Sequence, residues 1–334
     1  MVDLLTASME QVLVDKCTSA WVREVLRAGG DGTAAGRELW QELDQLGFLD
    51  ALVPESAGGS ELSLGECVGL LLAFGRYGMP LPAAHTMLAR RLLADSSVEY
   101  PRGPIALAVA DGSCHQEVFV PYGLACDVIL VERRDGLQLV DINEITVRPR
   151  AEWGGLDAAV VIPEGAGVQV VRQPMEEDPV TGVVKELGAL ASAASMVGAM
   201  IRVLDMTITH VNDRQQFGRS IGKFQVVQHN LSVLAEQVAA AQIAVQRACA
   251  SESSISVAIA KARASHAAPL VANTAHALTG AMGITAEYDL QLYTRALHSL
   301  RLQFGAESWW DEKIGAHALS HWSGAVPEII DLAK

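Results

Sequence analysis

Arg214-Gln-Gln-Phe217-Gly218-Arg219-Ser-Ile221-Gly-Lys-Phe224-Gln225 is the stretch whose reading decides the fold. It joins two helical segments through a glycine turn, with an arginine closing the first and a Phe-Gln pair opening the second. A guanidinium fixed at such a junction can clamp a diphosphate through two parallel hydrogen bonds. The opening turn of the following helix offers free backbone N–H groups to an anion. The alternative, on local chemistry alone, is that Arg214 and Arg219 neutralise the carbonyls at a helix C-terminus.

Outward from this junction the pattern is helical on both sides. Phe224, Val227, Leu231, Leu234, Val238, Ala241 and Val245 recur at alternating spacings of three and four, which predicts a long buried stripe. Upstream, Gly188 to Ala199 is mostly Gly, Ala and Ser, a composition that lets helix backbones approach closely. Segments 181–213, 223–250, 254–279 and 287–320 predict a four-helix bundle, making 180–334 a C-terminal unit. Between 103 and 179 the period changes. Ile105 to Val109, Glu117 to Val120, Asp127 to Val131, Leu137 to Val140 and Val168 to Val171 are short runs rich in β-branched residues. Asp111-Gly112 and Asp135-Gly136 mark turns, the second a hairpin candidate, so a small antiparallel β barrel or sandwich is expected.

Residues 1–102 read as an N-terminal α-helical domain. Trp40, Leu43 and Leu46 form an apolar face ending at Gly47. Val53-Pro54-Glu55 leads into the Gly58-Gly59 turn, and a second helix runs from Leu62 to Tyr77, stopped before Gly78-Met-Pro-Leu-Pro82. Gly30-Asp31-Gly32 imitates a dinucleotide-binding turn, but it follows a helix rather than a strand and reads as a loop.

Composition agrees. The 334 residues are 50% hydrophobic but only 5% aromatic, so the apolar content is mostly Ala, Val and Leu, the material of closely packed helices. A net charge of −14 without a basic cluster excludes nucleic acid as a partner. Five scattered cysteines without a C-x-x-C pair predict neither a disulfide framework nor a zinc site. Nine histidines show no metal-ligand spacing, and His229 and His276 read as hydrogen-bonded interior groups. No G-x-S-x-G nucleophile signature occurs. The uncharged stretch 264–286 reads as a buried helix and turn rather than a membrane span, and the N-terminus lacks a basic run followed by an apolar one. A cytoplasmic protein is expected. Trp309-Trp310 is read either as a subunit contact or as bundle core.

The junction segment, followed by Leu278-Thr279-Gly280-Ala281-Met282-Gly283, resembles the C-terminal half of the acyl-CoA dehydrogenase family. The family carries Arg-x-x-Phe-Gly-x-x-Ile-x-x-Phe-Gln and later Gln-x-x-Gly-Gly-x-Gly. Trp40-x-x-Leu43, Val53-Pro-Glu, Gly58-Gly59 and Ala125-Cys-Asp127-Val-Ile-Leu-Val131 are also similar to family patterns, in the same order. The resemblance implies a helical domain, a β domain and a four-helix bundle, usually assembled as a tetramer with FAD at a subunit interface. By that resemblance Arg214 meets the pyrophosphate of a neighbour's FAD. Phe217 and Gln225 line the adenosine side, Gly280 and Gly283 let the backbone approach the cofactor, and Gly218 and Thr279 belong to the same cofactor-binding set. An acyl-CoA is the implied substrate and an electron-transferring flavoprotein the implied acceptor.

The departures matter as much. The family's base glutamate stands either about nine residues after an arginine, here Arg295, or on the helix before the motif arginine. These positions are Phe304 or Gly305 and Gly188, and none can take a proton. Glu186 and Glu307 are the nearby acids: Glu186 lies about 200° around a helix from Gly188 and is expected to point away, and Glu307 shares a face with Phe304 only if 304–307 is helical. No Thr-Glu-Pro-x-x-Gly-Ser or Trp-x-Thr/Ser stretch is present. Ala277 stands where a FAD-contacting glutamine is expected, Ala189 where an arginine reaches the CoA adenine, and the chain is short around residue 103. This pattern is similar to the short subunit of heterotetrameric acyl-CoA dehydrogenases of bacterial steroid side-chain breakdown, in which a partner brings the base. Two alternatives stay open: a self-sufficient homotetrameric dehydrogenase with a displaced base such as Glu307, and an FAD-free, non-catalytic scaffold subunit.

Overall fold

The computed structural model describes residues 2–29, 33–110, 117–134, 136–150, 155–163, 165–170 and 182–321. Gly30-Asp31-Gly32, Asp111-Gly112 and Asp135 lie outside them. Five helices open the chain: α1 (Val2–Lys16), α2 (Ser19–Ala28), α3 (Thr33–Gln45), α4 (Leu64–Arg76) and α5 (Ala83–Asp95). The start of α4 is set by a reciprocal cap. Ser63 Oγ accepts the Glu66 N–H, and the Glu66 carboxylate accepts the Ser63 N–H at 2.9 Å.

Seven strands follow: β1 (Ile105–Ala110), β2 (Glu117–Val120), β3 (Val128–Arg133), β4 (Gly136–Asp141), β5 (Thr146–Pro149), β6 (Ala158–Val161) and β7 (Val168–Val170). They form one sheet in the order β1-β3-β4-β7 and another in the order β2-β6-β5. Among the described residues every pair in these sheets is antiparallel except β1 with β3, because β2 and its turn carry the chain through the other sheet before it returns alongside β1. β3 and β4 form the hairpin expected at Asp135-Gly136, in register Arg133↔Gly136. Ala106 and Ala108 of β1 face the second sheet, whereas Ile105 and Leu107 pack with α5 and the next helix. Burial on both faces explains why Ile105 to Val109 reads as a continuous apolar run.

The bundle comprises α6 (Val183–Asp213), α7 (Gln225–Ser251), α8 (Ser254–Thr279), α9 (Leu290–Leu302) and α10 (Glu307–His321). The small residues of α6 do what their size permits. A Cβ on Gly198 would lie 2.0 Å from the carbonyl oxygen of Leu72, so α4 and α6 cross in backbone contact. By length and composition α6 could cross a membrane, but 78% of its most apolar window is buried in the core. The stripe on α7 is buried at Leu234, Val238, Ala241 and Val245, and only half-buried at Phe224, Val227 and Leu231.

One expectation is corrected. Segment 287–320 is two helices, broken at 303–306, where Phe304 has φ +54° and Gly305 φ +103°. The buried Lys261 ammonium holds the break by donating to the carbonyls of Arg301 and Gly305, both at 2.8 Å, and to Ser265 Oγ at 3.0 Å. The Trp310 indole N–H donates to the Phe304 carbonyl at 3.2 Å, and its side chain is fully buried, the bundle-core role.

Candidate functional site

Where α6 meets the α9–α10 break, the Phe304 ring lies against Gly188, and a Cβ on Gly188 would come within 2.3 Å of Phe304 Cε1. Two of the positions where the resemblance places a base, Gly188 and Phe304, therefore face each other, and Phe304 fills the space of Gly188; a Cβ on the remaining candidate, Gly305, would instead lie 3.1 Å from the Trp309 and Trp310 rings. The Phe304 ring stands edge-on to His85 of α5, centroids 5.6 Å apart, and His85 stands edge-on to Tyr122 at 5.1 Å. His85 Nδ1 accepts the Leu107 N–H at 3.3 Å, and burial pulls its pKa down to about 3, so the ring is neutral with its proton on Nε2.

Neither replacement acid points at this spot in a usable form. Glu186 accepts a hydrogen bond from Ser254 Oγ at 2.7 Å, at the start of α8. Glu307 is paired through both oxygens with Arg301, whose guanidinium holds its carboxyl down at about 2. Because 303–306 is not helical, Glu307 does not share a face with Phe304. Ala189 is fully buried, while Ala277 is exposed.

Beside the ring stack lies a cavity of about 130 Å³ bounded by all three parts of the chain. Val22 and Leu26 of α2, Phe74 of α4, Leu156, and Ala199 and Leu292 of the bundle give it apolar walls. Asp157, Ser299 and Gln303 give it a polar end, and Arg295 lines it too. Asp157 Oδ1 accepts the Tyr122 N–H at 3.0 Å and Oδ2 accepts from Ser299 Oγ at 3.4 Å. Burial holds this carboxyl above the ordinary carboxylate range, against those two donors. Sequence reasoning missed His85, Tyr122, Asp157, Ser299 and Gln303. They come from a helix, two loops, a second helix and the turn that ends it, and no local spacing links all five.

The junction segment sits at the other end of the bundle. β8 (Gln215–Gln216) and β9 (Arg219–Ser220) form a small hairpin with Phe217 at φ +52° and Gly218 at φ +78° on its tip. Arg214, Gln225 and Phe217 are exposed, Phe217 to 91%. The Arg219 guanidinium lies 4.2 Å over the Phe224 ring. α7 starts at Gln225 without a side-chain cap; the Val227 and Gln228 N–H groups donate to the Phe224 carbonyl at 3.0 Å, which leaves those of Gln225 and Val226 to face an anion. Because α6, α7 and α8 run up, down and up, the Thr279–Gly283 turn lies at this same end. The Tyr288 hydroxyl, just beyond it, donates to the Met206 carbonyl of α6 at 3.4 Å. Gly283 is demanded from within, since a Cβ there would meet Thr279 Oγ1 at 2.1 Å, whereas Gly280 is demanded by its φ of +60°. Of the histidines, His276 bonds Thr294 Oγ1 at 2.9 Å as an interior group, but His229 is exposed on α7, contrary to expectation.

An exposed cation, an exposed aromatic ring and an uncapped helix start suit the ADP half of a dinucleotide. At the ring stack, Gly188 and Phe304 supply no carboxylate for chemistry on its other half.

Comparison with known proteins places these features. The sequence matches the acyl-CoA dehydrogenase N-terminal domain over residues 8–99 and the acyl-CoA dehydrogenase C-terminal domain over 186–319, leaving the β region between them. It is 30% identical over 262 residues to acyl-CoA dehydrogenase IpdE2 of Mycolicibacterium smegmatis, covering 78% of this chain and 81% of that protein. It is 27% identical to acyl-CoA dehydrogenase FadE34 of Mycobacterium tuberculosis, over 89% of this chain and 44% of the relative. Among solved structures, the ChsE4-ChsE5 complex from Mycobacterium tuberculosis superposes with a TM-score of 0.78 at 23% identity, covering 97% of this chain and 98% of that one. A glutaryl-coenzyme A dehydrogenase bound to glutaryl-CoA gives 0.75 at 16% identity, over 96% and 95%.

Proposed function

Since the chain belongs to the acyl-CoA dehydrogenase family, whose members are FAD flavoproteins, we propose that it completes the FAD site of a partner subunit that carries the catalytic glutamate. The observation that carries this reading is the contact of Phe304 with Gly188. It leaves no volume for a carboxylate at either usual position, while both neighbouring acids are engaged elsewhere.

The geometry of α6 supports the division of labour. From Gly188 to Asp213 the helix is unbroken and rises roughly 38 Å. The junction and the ring stack of one chain are thus too far apart to serve one dinucleotide, and the junction fits a cofactor whose flavin lies in a neighbour. When bound, FAD supplies the hydride acceptor for α,β-dehydrogenation of an acyl-CoA. This chain's contribution is to bind and orient: Arg214 the pyrophosphate, Phe217 and Gln225 the adenosine side, and Gly280 and Gly283 the backbone approach, with Gly218 and Thr279 in the same two turns. One fold relative is itself a complex of two different chains, which suits the reading. An electron-transferring flavoprotein as acceptor and a tetrameric assembly complete the proposal.

The test is co-expression with candidate family partners that carry the glutamate. Yellow protein with acyl-CoA oxidation only in the joint preparation, and loss of bound FAD in Arg214→Ala, is the expected result. A yellow, active preparation of this chain alone overturns it.

A further inference from the structure

Against the cavity of about 130 Å³ lies a recess of about 10 Å³, roughly the room that one water-sized oxygen needs. The two share Phe74, Met79, Tyr122, Ser195 and Leu300 as walls, so Tyr122 and Ser195 stand on their boundary. The Tyr122 hydroxyl and Ser195 Oγ form no hydrogen bond among the described residues. Neither is sealed in, as the orphaned Ser192 Oγ is, so each keeps surface that a water-sized atom can touch. Ser195 is only 8% exposed, and burial pushes the pKa of the Tyr122 hydroxyl up, so that surface belongs to the cavities and not to bulk water. His85, 2% exposed, lines the recess too, and with Nδ1 taken by the Leu107 N–H its other ring nitrogen offers a donor.

Tyr122 is held in place by its surroundings. Its φ of +58° is one that a bulky side chain rarely adopts, although Gly123 follows immediately. Three contacts impose it. The N–H donates to Asp157 Oδ1 at 3.0 Å, the carbonyl accepts the Ala125 N–H at 2.8 Å, and the ring stands edge-on to His85 with centroids 5.1 Å apart. Backbone held in such a region from several sides is characteristic of ligand sites.

The recess thus gathers donors at the edge of an apolar cavity. An oxygen filling so small a space lies beside both hydroxyls. A carbonyl oxygen has two lone pairs and brings no hydrogen of its own, so it accepts from the pair. We propose that the cavity takes the apolar body of a carbonyl compound and the recess takes its carbonyl oxygen, with Tyr122 and Ser195 as the donors that select it. An alkene of the same shape leaves the two hydroxyls unmet and is discriminated against, as sites built for a polar group reject analogues that lack it. The inference rests on the family reading only in taking the carbonyl compound to be an acyl thioester; the recess needs neither flavin nor partner. A keto group on the acyl body and the thioester carbonyl itself share this chemistry.

Cyclohexanone and methylenecyclohexane share a ring and a heavy-atom count and differ in C=O against C=CH₂, so they serve as probes of the full-length chain. Their binding is measured by titration calorimetry and ligand-observed NMR, and the carbonyl stretch of bound cyclohexanone by infrared difference spectroscopy. The stretch is expected below its value in hexane. In the double variant Tyr122→Phe, Ser195→Ala it is expected to move back toward that value. Cyclohexanone affinity is expected to fall about tenfold in that variant, the factor that lost hydrogen bonds supply, while methylenecyclohexane affinity holds and reports an intact cavity. S-ethyl thioacetate, run alongside, assigns the source. A variant-sensitive stretch in the ketone supports a keto group on the acyl body, and one in the thioester supports the thioester carbonyl. A hexane-like stretch for both carbonyls in the native chain, binding of neither ring probe, or ring-probe affinities that fall together or not at all in the variant overturns the inference. The infrared result on the native chain stands even if the double variant does not fold. None of those outcomes bears on FAD retention by Arg214.

Discussion

Gly188 and Phe304, 116 positions apart in sequence, touch so closely that a methyl group on one would overlap the ring of the other. The relationship makes them one structural unit, and a double-mutant cycle can read it. Gly188→Ala alone is expected to destabilise the chain by about 1–3 kcal/mol through overpacking. In a Phe304→Ala background the same change is expected to cost little, because the space has been vacated. Urea midpoints of the four proteins check this. Costs that simply add would show that the two residues do not share the space.

Lys261 makes stability depend on pH. Burial lowers its pKa to about 7 from the ordinary 10.5, while Ser265 and the carbonyls of Arg301 and Gly305 accept from its amine. Between those values the unfolded chain binds more protons than the folded one, so stability rises with pH across that window and levels off below about 7. The difference in melting temperature between the native chain and Lys261→Met is expected to move in favour of the native chain from pH 7 to 10 and to stay constant from 6 to 7. A flat difference over the whole range contradicts the assignment.

Glu307 is a structural anion. Its carboxyl is held at about 2 by the Arg301 guanidinium, so the pair stabilises the fold above the unfolded-state value of 4.5 and that contribution is lost as pH falls toward 2. Glu307→Gln is expected to lower stability by about 1 kcal/mol at pH 7, with the gap to the native chain narrowing below 4.5. Acyl-CoA oxidation by the assembled protein is expected to be unchanged in the same variant. A loss of turnover without a loss of stability would restore Glu307 as the base.

Phe217 separates binding from folding. At the exposed hairpin tip it contributes almost nothing to the core, so Phe217→Ala is expected to shift stability by no more than about 0.5 kcal/mol. FAD retained by the joint preparation is nevertheless expected to fall, as read from the flavin absorbance per protein. Unchanged retention would remove Phe217 from the proposed adenosine contacts.

The buried ion cluster of the N-terminal helices gives a pure stability prediction. Arg90, fully buried, pairs with Asp44 and Asp50 and donates to the Arg102 carbonyl. Arg90→Met leaves the buried Asp50 with Arg102 alone and is expected to cost about 3–5 kcal/mol by thermal or urea denaturation.

How much of this was legible beforehand follows from how far each signal reaches along the chain. The order of helices, strands and helices was legible because periodicities of 3.6 and 2 are local, and so was the hairpin at Asp135-Gly136. The break at 303–306 was not. Gly305 after Arg301 is a local stop signal, but a glycine alone does not fix a break, and this one depends on Lys261, some 40 residues away, reaching two carbonyls. The exposed group Arg214, Phe217 and Gln225 was legible as one continuous segment.

Sequence by itself therefore determined the family, the architecture and the absence of a glutamate at Gly188 and Phe304, since each needs only residue types in order. Only the tertiary structure decided that these two positions fill each other, that Glu186 and Glu307 are engaged elsewhere, and that Asp157, Ser299 and Gln303 converge on one cavity. Such facts depend on which side chains from distant segments occupy the same few ångströms, and close packing, not spacing along the chain, sets that.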